Sequence, residues 1–273
     1  MDKIRAALTA AAVRLREISE SPRLDVELLM AHALGVSREA LLLRHLDAEV
    51  PKKFDSVLAR RLAQEPIAYI TGTRDFWTIR LTVAPGVLIP RADSETLIEA
   101  AIRHFEKGGP RRILDLGTGS GALLLAALDQ WPKATGVGVD SSEKALSIAE
   151  MNAIDLGLED RARFVLGDWA NDLLEQFDLI LCNPPYVDRA SQLPRDVADH
   201  EPHSALFAGD NGLADYQRLA PQIARLIAQG GCAAVEIGFD QAASVTALFE
   251  KERLNVTVRP DLSGRDRCLT ITL

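Results

Sequence analysis

A mostly parallel, doubly wound α/β sheet of seven strands, preceded by a small helical bundle and a β-hairpin connector, is the fold class this sequence predicts. Three observations predict it. From residue 91 onward short apolar strands alternate with helical segments, which sets consecutive strands parallel with crossover helices between them. Ahead of that, the chain shows helical periodicity only, and between the two lies a stretch of β-formers broken by Gly and Pro. The expected divisions are a helical domain over 1–72, a hairpin connector over 73–90 and an α/β domain over 91–273.

Ile4, Leu8, Ala11, Leu15 and Ile18 fall at helical spacing, so the first segment is an amphipathic helix. Ser21 and Pro22 open a second helix as N-cap and first helical residue, "RLDVELLMAHAL" continues it, and Gly35 closes it. Ser37 caps a third, "REALLLRHL", and a fourth runs from Pro51 to about Gln64. This bundle carries no charged cluster and no Gly-rich loop, so its default role is packing or partner binding. "EPIAYITGTRDFWTIRLTVAPGVLIPR" then reads as the hairpin-like connector. Beyond it, "RRILDLG", "ATGVGVD", "ARFVLGD", "FDLILCN" and "GCAAVEIG" read as strands separated by helical segments. After a helix in "DQAASVTALFEKE" come "NVTVRPD" and "RCLTITL", and the short "LSGRD" between them makes this last pair antiparallel.

Composition narrows the function. With 31 Lys and Arg against 39 Asp and Glu, the formal net charge is −8, so no overall positive field gathers nucleic-acid phosphates or an anionic membrane. Cys182, Cys232 and Cys268 are far apart and form no CxxC pair, which suits a reducing compartment and core packing rather than a metal site. The early apolar run is followed at once by Arg14, Arg16 and Glu17 and resembles neither a signal nor a transit peptide, and no apolar stretch approaches the roughly 20 residues that span a bilayer. A cytoplasmic protein is expected.

Ligands of such sheets bind at the carboxyl ends of the strands. The first strand ends in "DLGTGSG", where Gly117, Gly119 and Gly121 let the backbone approach a ligand and leave the next helix's first amides facing it, with Thr118 and Ser120 between them. The spacing is GxGxG rather than the GxGxxG of a dinucleotide fold. Asp140 ends the second strand, placed to accept from both ribose hydroxyls; Asp168 at the third strand's end is a candidate for an adenine amine and Trp169 a cover for the ring. Turn or N-cap roles for Asp140 and Asp168 are the alternatives.

"DLGTGSG", the Asp140 strand end and "NPPY" resemble the class I S-adenosylmethionine-dependent methyltransferases that act on an amide or amine nitrogen. "EPIAYITGTRDFW", "LIPRADSETLIE", "NPPYVDR", "EPHSALFAGDNGL" and "EIG" occur in the order and spacing of the release-factor glutamine N5-methyltransferases of the HemK/PrmC type, and the resemblance covers nearly the whole chain. "PRADSE" departs from that pattern, with Ala92 and Ser94 where Pro and Thr are usual. The resemblance implies S-adenosylmethionine as cofactor, held by Gly117, Thr118, Gly119, Ser120, Gly121, Asp140, Asp168, Trp169 and Asn183, and peptide-chain release factors as substrates, with no membrane and no direct nucleic-acid partner.

The chemistry explains "NPPY". An amide nitrogen is a poor nucleophile because its lone pair is delocalised, so positioning carries the catalysis. The Asn183 side-chain oxygen and the Pro184 carbonyl are suited to accept the two N–H bonds of the target amide; Pro184 and Pro185 fix the backbone and Tyr186 supplies a flat wall. Phe76 and Trp77 are candidates to line the substrate slot, with core packing as the alternative, and Arg91 and Glu95 are candidate substrate residues that would form an ion-paired lid at the cofactor, with a plain surface ion pair as the alternative. His200 and His203 have HxxH spacing without an evident third ligand, so a polar loop is favoured over a metal site. A nucleic-acid exocyclic-amine methyltransferase, acting on adenine N6 or guanine N2, is the competing reading; the negative charge and the lack of a Lys/Arg-rich segment weigh against it. A non-catalytic binding module is the third, and it would have no use for the Asn183 amide.

Overall fold

The chain folds into two compact units in a computed structural model that describes residues 3–106 and 108–273. One unit runs up to Thr73 and includes the later segment Leu193–His200; the other comprises Arg74–Gln192 and Glu201–Leu273.

In the helical unit, α1 (Ile4–Arg14) buries Ile4, Leu8 and Ala11, the spacing read from the sequence. Pro22 opens α2 (Pro22–Leu34) and Gly35 closes it at φ 70. Ser21 takes the N-cap position with its carbonyl bonded to Asp25 N, but its side chain caps nothing. Ser37 does cap, accepting from Ala40 N at 3.1 Å. The third helix differs from expectation: one α-turn, α3 (Arg38–Ala40), widens into a π-helical stretch over Leu41–His45, which buries Leu41 and leaves Leu43 80% exposed. After α4 (Lys53–Leu62), Gln64 turns into the left-handed region at φ 66. The connector's first part is helical, not hairpin: α5 (Ile67–Thr71) buries three consecutive residues, Ala68, Tyr69 and Ile70, a pattern that helix accommodates and a half-buried strand does not. Ile4, Leu8, Leu29, Leu41, Phe54, Leu58 and Ile70 form this unit's core. Within it, buried Arg61 bonds Asp25 at 2.9 Å and the Ile18 carbonyl at 3.2 Å, and lies 3.7 Å from Asp196 on α9 (Arg195–Ala198).

The second unit opens with β1 (Thr73–Phe76, which starts at the last residue of the first unit) paired to β2 (Ile79–Thr82) across Trp77 and Thr78. α6 (Glu95–Phe105) leads into β3 (Arg112–Leu116), α7 (Ala122–Gln130), β4 (Thr135–Asp140), α8 (Glu143–Asp155), β5 (Ala162–Leu166) and β6 (Phe177–Cys182). Then follow α10 (Ala214–Leu226), β7 (Ile227–Glu236), α11 (Ala242–Lys251), β8 (Asn255–Pro260) and β9 (Asp266–Thr272). Seven strands lie in the order β5-β4-β3-β6-β7-β9-β8, parallel except for β9, which runs antiparallel to both β7 and β8. β3 pairs with β4 on one side and β6 on the other, so strand order reverses there and the carboxyl ends of β3, β4 and β6 open a crevice. Residues of α6, α7 and α8 fill the core on one face of the sheet and those of α10 and α11 on the other. One expected crossover helix is missing: β5 reaches β6 through turns, with Trp169 left-handed at φ 54, because the ten residues "GDWANDLLEQ" are too short to hold a helix and both of its connections back to the sheet. Cys182, Cys232 and Cys268 are buried, unpaired core residues. Among the described residues no helix is long and apolar enough to cross a membrane.

Candidate active site

The turn after β3 is tied to the end of β4. Gly117 N and Thr118 N donate to the Val139 carbonyl at 2.9 and 3.0 Å, and Gly119 N donates to Asp140 Oδ2 at 2.9 Å. Asp140 Oδ1 accepts from Ser142 N at 2.9 Å, so each carboxylate oxygen keeps one lone-pair direction for another donor. Gly117 sits at φ 74, and a Cβ there would come within 3.2 Å of the Trp169 ring. Trp169 in turn donates a side-chain hydrogen bond to Asp215, whose carboxyl is held above its ordinary range chiefly by burial. Asp168 pairs with Arg218 through Oδ2, which Asn171 also approaches at 3.3 Å.

At the end of β6, Asn183 Nδ2 donates to Ser94 Oγ at 3.0 Å. Ser94, 3% exposed, donates to Glu236 Oε2 at 2.5 Å, and Tyr186 OH donates to Glu236 Oε1 at 3.3 Å. Glu236 is 1% exposed at the end of β7, and burial pushes its carboxyl up to about 7 against the pull of the Ser94 bond and the Arg267 guanidinium. Burial likewise raises the Tyr186 phenol, next to Glu236.

These strand ends enclose a cleft of about 270 Å³. The predicted residues Gly117, Thr118, Gly119, Ser120, Asp140, Asp168, Trp169 and Asn183 all line it, together with Phe76, Arg91 and Pro185. Others stand elsewhere. Gly121 faces the packing of α7 on α8, where a Cβ would meet Leu125 of α7 at 2.9 Å and Ala149 of α8 at 3.3 Å. Pro184 is buried, and Tyr186 is held through its hydroxyl against the core beside α10 and α11 rather than offered as a wall. The Arg91–Glu95 pair does not form: Arg91 bonds Glu201 at 2.6 Å, while Glu95 accepts from Trp77 N at 2.9 Å, because Glu201 arrives buried from "HEPHS" with Ile89 N also bound to it. The His203 ring packs edge-on against Phe207.

Asp215 and Asn152 carry no mark in the sequence, and Ser94, Glu201 and Glu236 stand there only inside the quoted motifs, with no role attached. Asn152, 1% exposed, accepts from Thr82 N at 2.7 Å and donates to the Thr82 and Ser120 carbonyls at 3.0 and 2.9 Å, stitching the hairpin to the glycine turn. A signal existed for Glu236: a lone carboxylate ending an apolar strand, as Asp140 does.

Residues 6–72 match the PrmC N-terminal domain model and residues 91–200 the methyltransferase small domain model. The chain is 40% identical to the release factor glutamine methyltransferase of Caulobacter vibrioides over 96% of this chain and 93% of that one. It is 44% identical to that of Rhodospirillum rubrum (92% and 78%) and 37% to that of Escherichia coli K12 (87% of each). The chain belongs to the release factor glutamine methyltransferase family. Among solved structures, a Pyrococcus furiosus methyltransferase aligns with TM-score 0.55 at 16% identity, over 80% of this chain and 98% of that one. The Thermus thermophilus 16S rRNA N2 G1207 methyltransferase, solved with AdoMet and guanosine, aligns with TM-score 0.52 at 20% identity, over 73% and 49%. Those two likenesses show the fold, which this family member shares. Ser94 stands at the centre of the Asn183–Ser94–Glu236 chain.

Proposed function

We infer that this chain transfers the methyl group of S-adenosylmethionine to the side-chain amide nitrogen, N5, of a glutamine in a peptide-chain release factor. Family membership supports the reaction, and the observation that carries the site assignment is the Asn183 amide at the cleft with its Nδ2 already committed to Ser94, so that Oδ1 is the atom left to meet an incoming NH2. The cleft suits the cofactor: Asp140 keeps a lone-pair direction on each oxygen for the ribose, Asp168 Oδ1 is available to an adenine amine, and the Trp169 ring is braced by Gly117 and Asp215. When bound, S-adenosylmethionine supplies an electrophilic methyl on a cationic sulfur. Asn183 Oδ1 accepts one N–H of the glutamine amide, and the backbone carbonyl of Pro184, whose residue does not itself line the cleft but directly follows Asn183, is the second acceptor, so that the nitrogen lone pair turns toward the methyl. The same two acceptors stabilise the positive charge that grows on nitrogen, and no histidine base is required. Partners are release factors in the cytoplasm, without membrane or direct nucleic-acid binding.

Labelled cofactor incubated with purified release factor and, separately, with cell extract decides the substrate; label in protein at a glutamine is expected, and label in nucleic acid would overturn the reading. Asn183→Ala is expected to keep cofactor affinity within about twofold while the methylation rate falls by about 10²-fold or more, the size for losing one preorganised hydrogen-bonding group. An unchanged rate would remove Asn183 from the mechanism.

A further inference from the structure

We propose that Glu236 is a positioning residue that, acting through Ser94, fixes which end of the Asn183 side-chain amide faces the substrate. The proposal rests on the acceptor role of Asn183 given above. The two ends of a carboxamide have nearly the same shape but opposite hydrogen-bonding sense, so packing alone does not select between them. Only Oδ1 toward the cleft can accept from a glutamine NH2; Nδ2 there would set donor against donor.

Ser94 decides the matter because its hydroxyl has a single proton. An ionised Glu236 is acceptor-only, and its Oε2 lies 2.5 Å from Ser94 Oγ, so that proton is drawn to the carboxylate. Ser94 Oγ is then left as an acceptor, and it takes Asn183 Nδ2 at 3.0 Å. Tyr186 OH occupies the other carboxylate oxygen at 3.3 Å, which keeps Glu236 from turning away. The strand register supports the arrangement: Cys182 pairs with Val235, so Asn183 and Glu236 follow side by side at the ends of neighbouring strands.

Protonating Glu236 reverses the chain. A carboxylic acid donates from Oε2 to Ser94 Oγ, the Ser94 proton turns to Asn183, and the amide rotates to present Nδ2 to the cleft. One proton enters from solvent and forms the Oε2–H bond of Glu236; the rest of the change is in hydrogen bonds alone. The charged and titratable groups facing Glu236 are Asp93 beside Ser94, Cys182 and Tyr186 from β6 and its loop, Tyr216 from α10, and Arg267 and Cys268 from β9. Burial raises both thiols and both phenols, so none of those four ionises near neutrality, whereas Glu236 itself sits at about 7. The active form is the ionised one, and turnover falls as pH drops through that value.

The test uses the intact chain, a release-factor substrate, and kcat, KM and cofactor Kd measured across the pH range around 7. Wild-type kcat is expected to fall on the acid side with a midpoint near 7 while cofactor Kd stays level. Glu236→Gln should abolish that limb and lower kcat by about 10- to 100-fold, the size for losing an outer partner that orients a functional group. Ser94→Ala should lower kcat similarly, and Ser94→Thr, which keeps the hydroxyl, should restore it. If Glu236→Gln fails to fold, the Ala and Thr variants at Ser94 decide alone. Wild-type kcat in Ser94→Ala, or a parallel loss of kcat and cofactor binding, would overturn the relay. A wild type inactive on glutamine would instead overturn the proposed function; an active wild type with Asn183→Ala dead and Ser94→Ala unimpaired overturns the relay only.

Discussion

A carboxyl group sealed from water must find partners for its charge or give the charge up, and Asp115 at the end of β3 does the latter in part. Its Oδ2 accepts from Thr118 Oγ1 at 2.6 Å and Leu124 N at 3.2 Å, while Oδ1 accepts no hydrogen bond among the described residues. Burial pushes this carboxyl up to about 7, with those two bonds pulling it down and Asp140 adding to the rise. The folded value lies above the unfolded one, so between about pH 4 and 7 the folded chain holds a proton that the unfolded chain has released, and stability falls as pH rises through that window. Asp115→Asn keeps the size and stays neutral. Urea unfolding should show wild type losing roughly 2–4 kcal/mol relative to the variant between the two ends of that window, since a tenfold difference in proton affinity between the folded and unfolded chains is worth about 1.4 kcal/mol. Glu236 adds a slope of the same sign to both proteins, and it cancels in the difference. Curves that run parallel would show that the Asp115 charge is not penalised. At this scale the legible residues were those that end strands, Asp140 and Asn183. Ser94 and Asn152 were not, because their partners Glu236 and Thr82 lie 142 and 70 residues away and only the fold brings them together.

The strands could be read because a parallel sheet covered on both faces needs near-continuous apolar runs, and β6 supplies one over "LILC" while β3 is broken only by Asp115 within "ILDL". The short irregular pieces could not. The π-helical stretch Leu41–His45 carries the same three leucines as an ordinary helix, and α5 hides in a Pro- and Gly-flanked segment whose buried run is only three residues long. The glycine turn shows how position within one element separates binding from stability. Gly117 and Gly121 both have positive φ, so a side chain at either is strained by about 1–2 kcal/mol. The neighbours differ: the new methyl at 117 meets the Trp169 ring in the cleft, whereas at 121 it meets Leu125 and Ala149 in the packing of α7 on α8. Gly117→Ala should therefore weaken S-adenosylmethionine binding by calorimetry more than it lowers Tm, and Gly121→Ala should do the reverse. Equal effects on both quantities in the two variants would mean that the turn acts as one unit.

On the scale of the whole molecule, the question is what the helical unit contributes, since none of the cleft's lining residues comes from it. A glutamine side chain offers few atoms to an acceptor slot, so selection of one protein over others needs a second surface that holds the substrate's body near the cleft at high effective concentration. Deleting residues 1–72 is a poor test, because Leu193–His200 belongs to the helical unit and Asp196 would lose its neighbour Arg61. Substitution on the intact chain avoids this. Val13, Leu24 and Leu43 are exposed apolar side chains of that unit, at 52%, 41% and 80%, and none holds its core together. Leu43→Asp, alone and combined with Val13→Asp and Leu24→Asp, should leave Tm within a degree or so per substitution, since surface changes away from packing shift stability by about 0.5 kcal/mol or less. A short glutamine peptide should be methylated as by wild type, because it needs only the cleft. Intact release factor should lose kcat/KM through KM, so the ratio of the two kcat/KM values falls. A ratio that survives charge at all three positions would show that the helical unit's apolar surface takes no part in choosing the substrate.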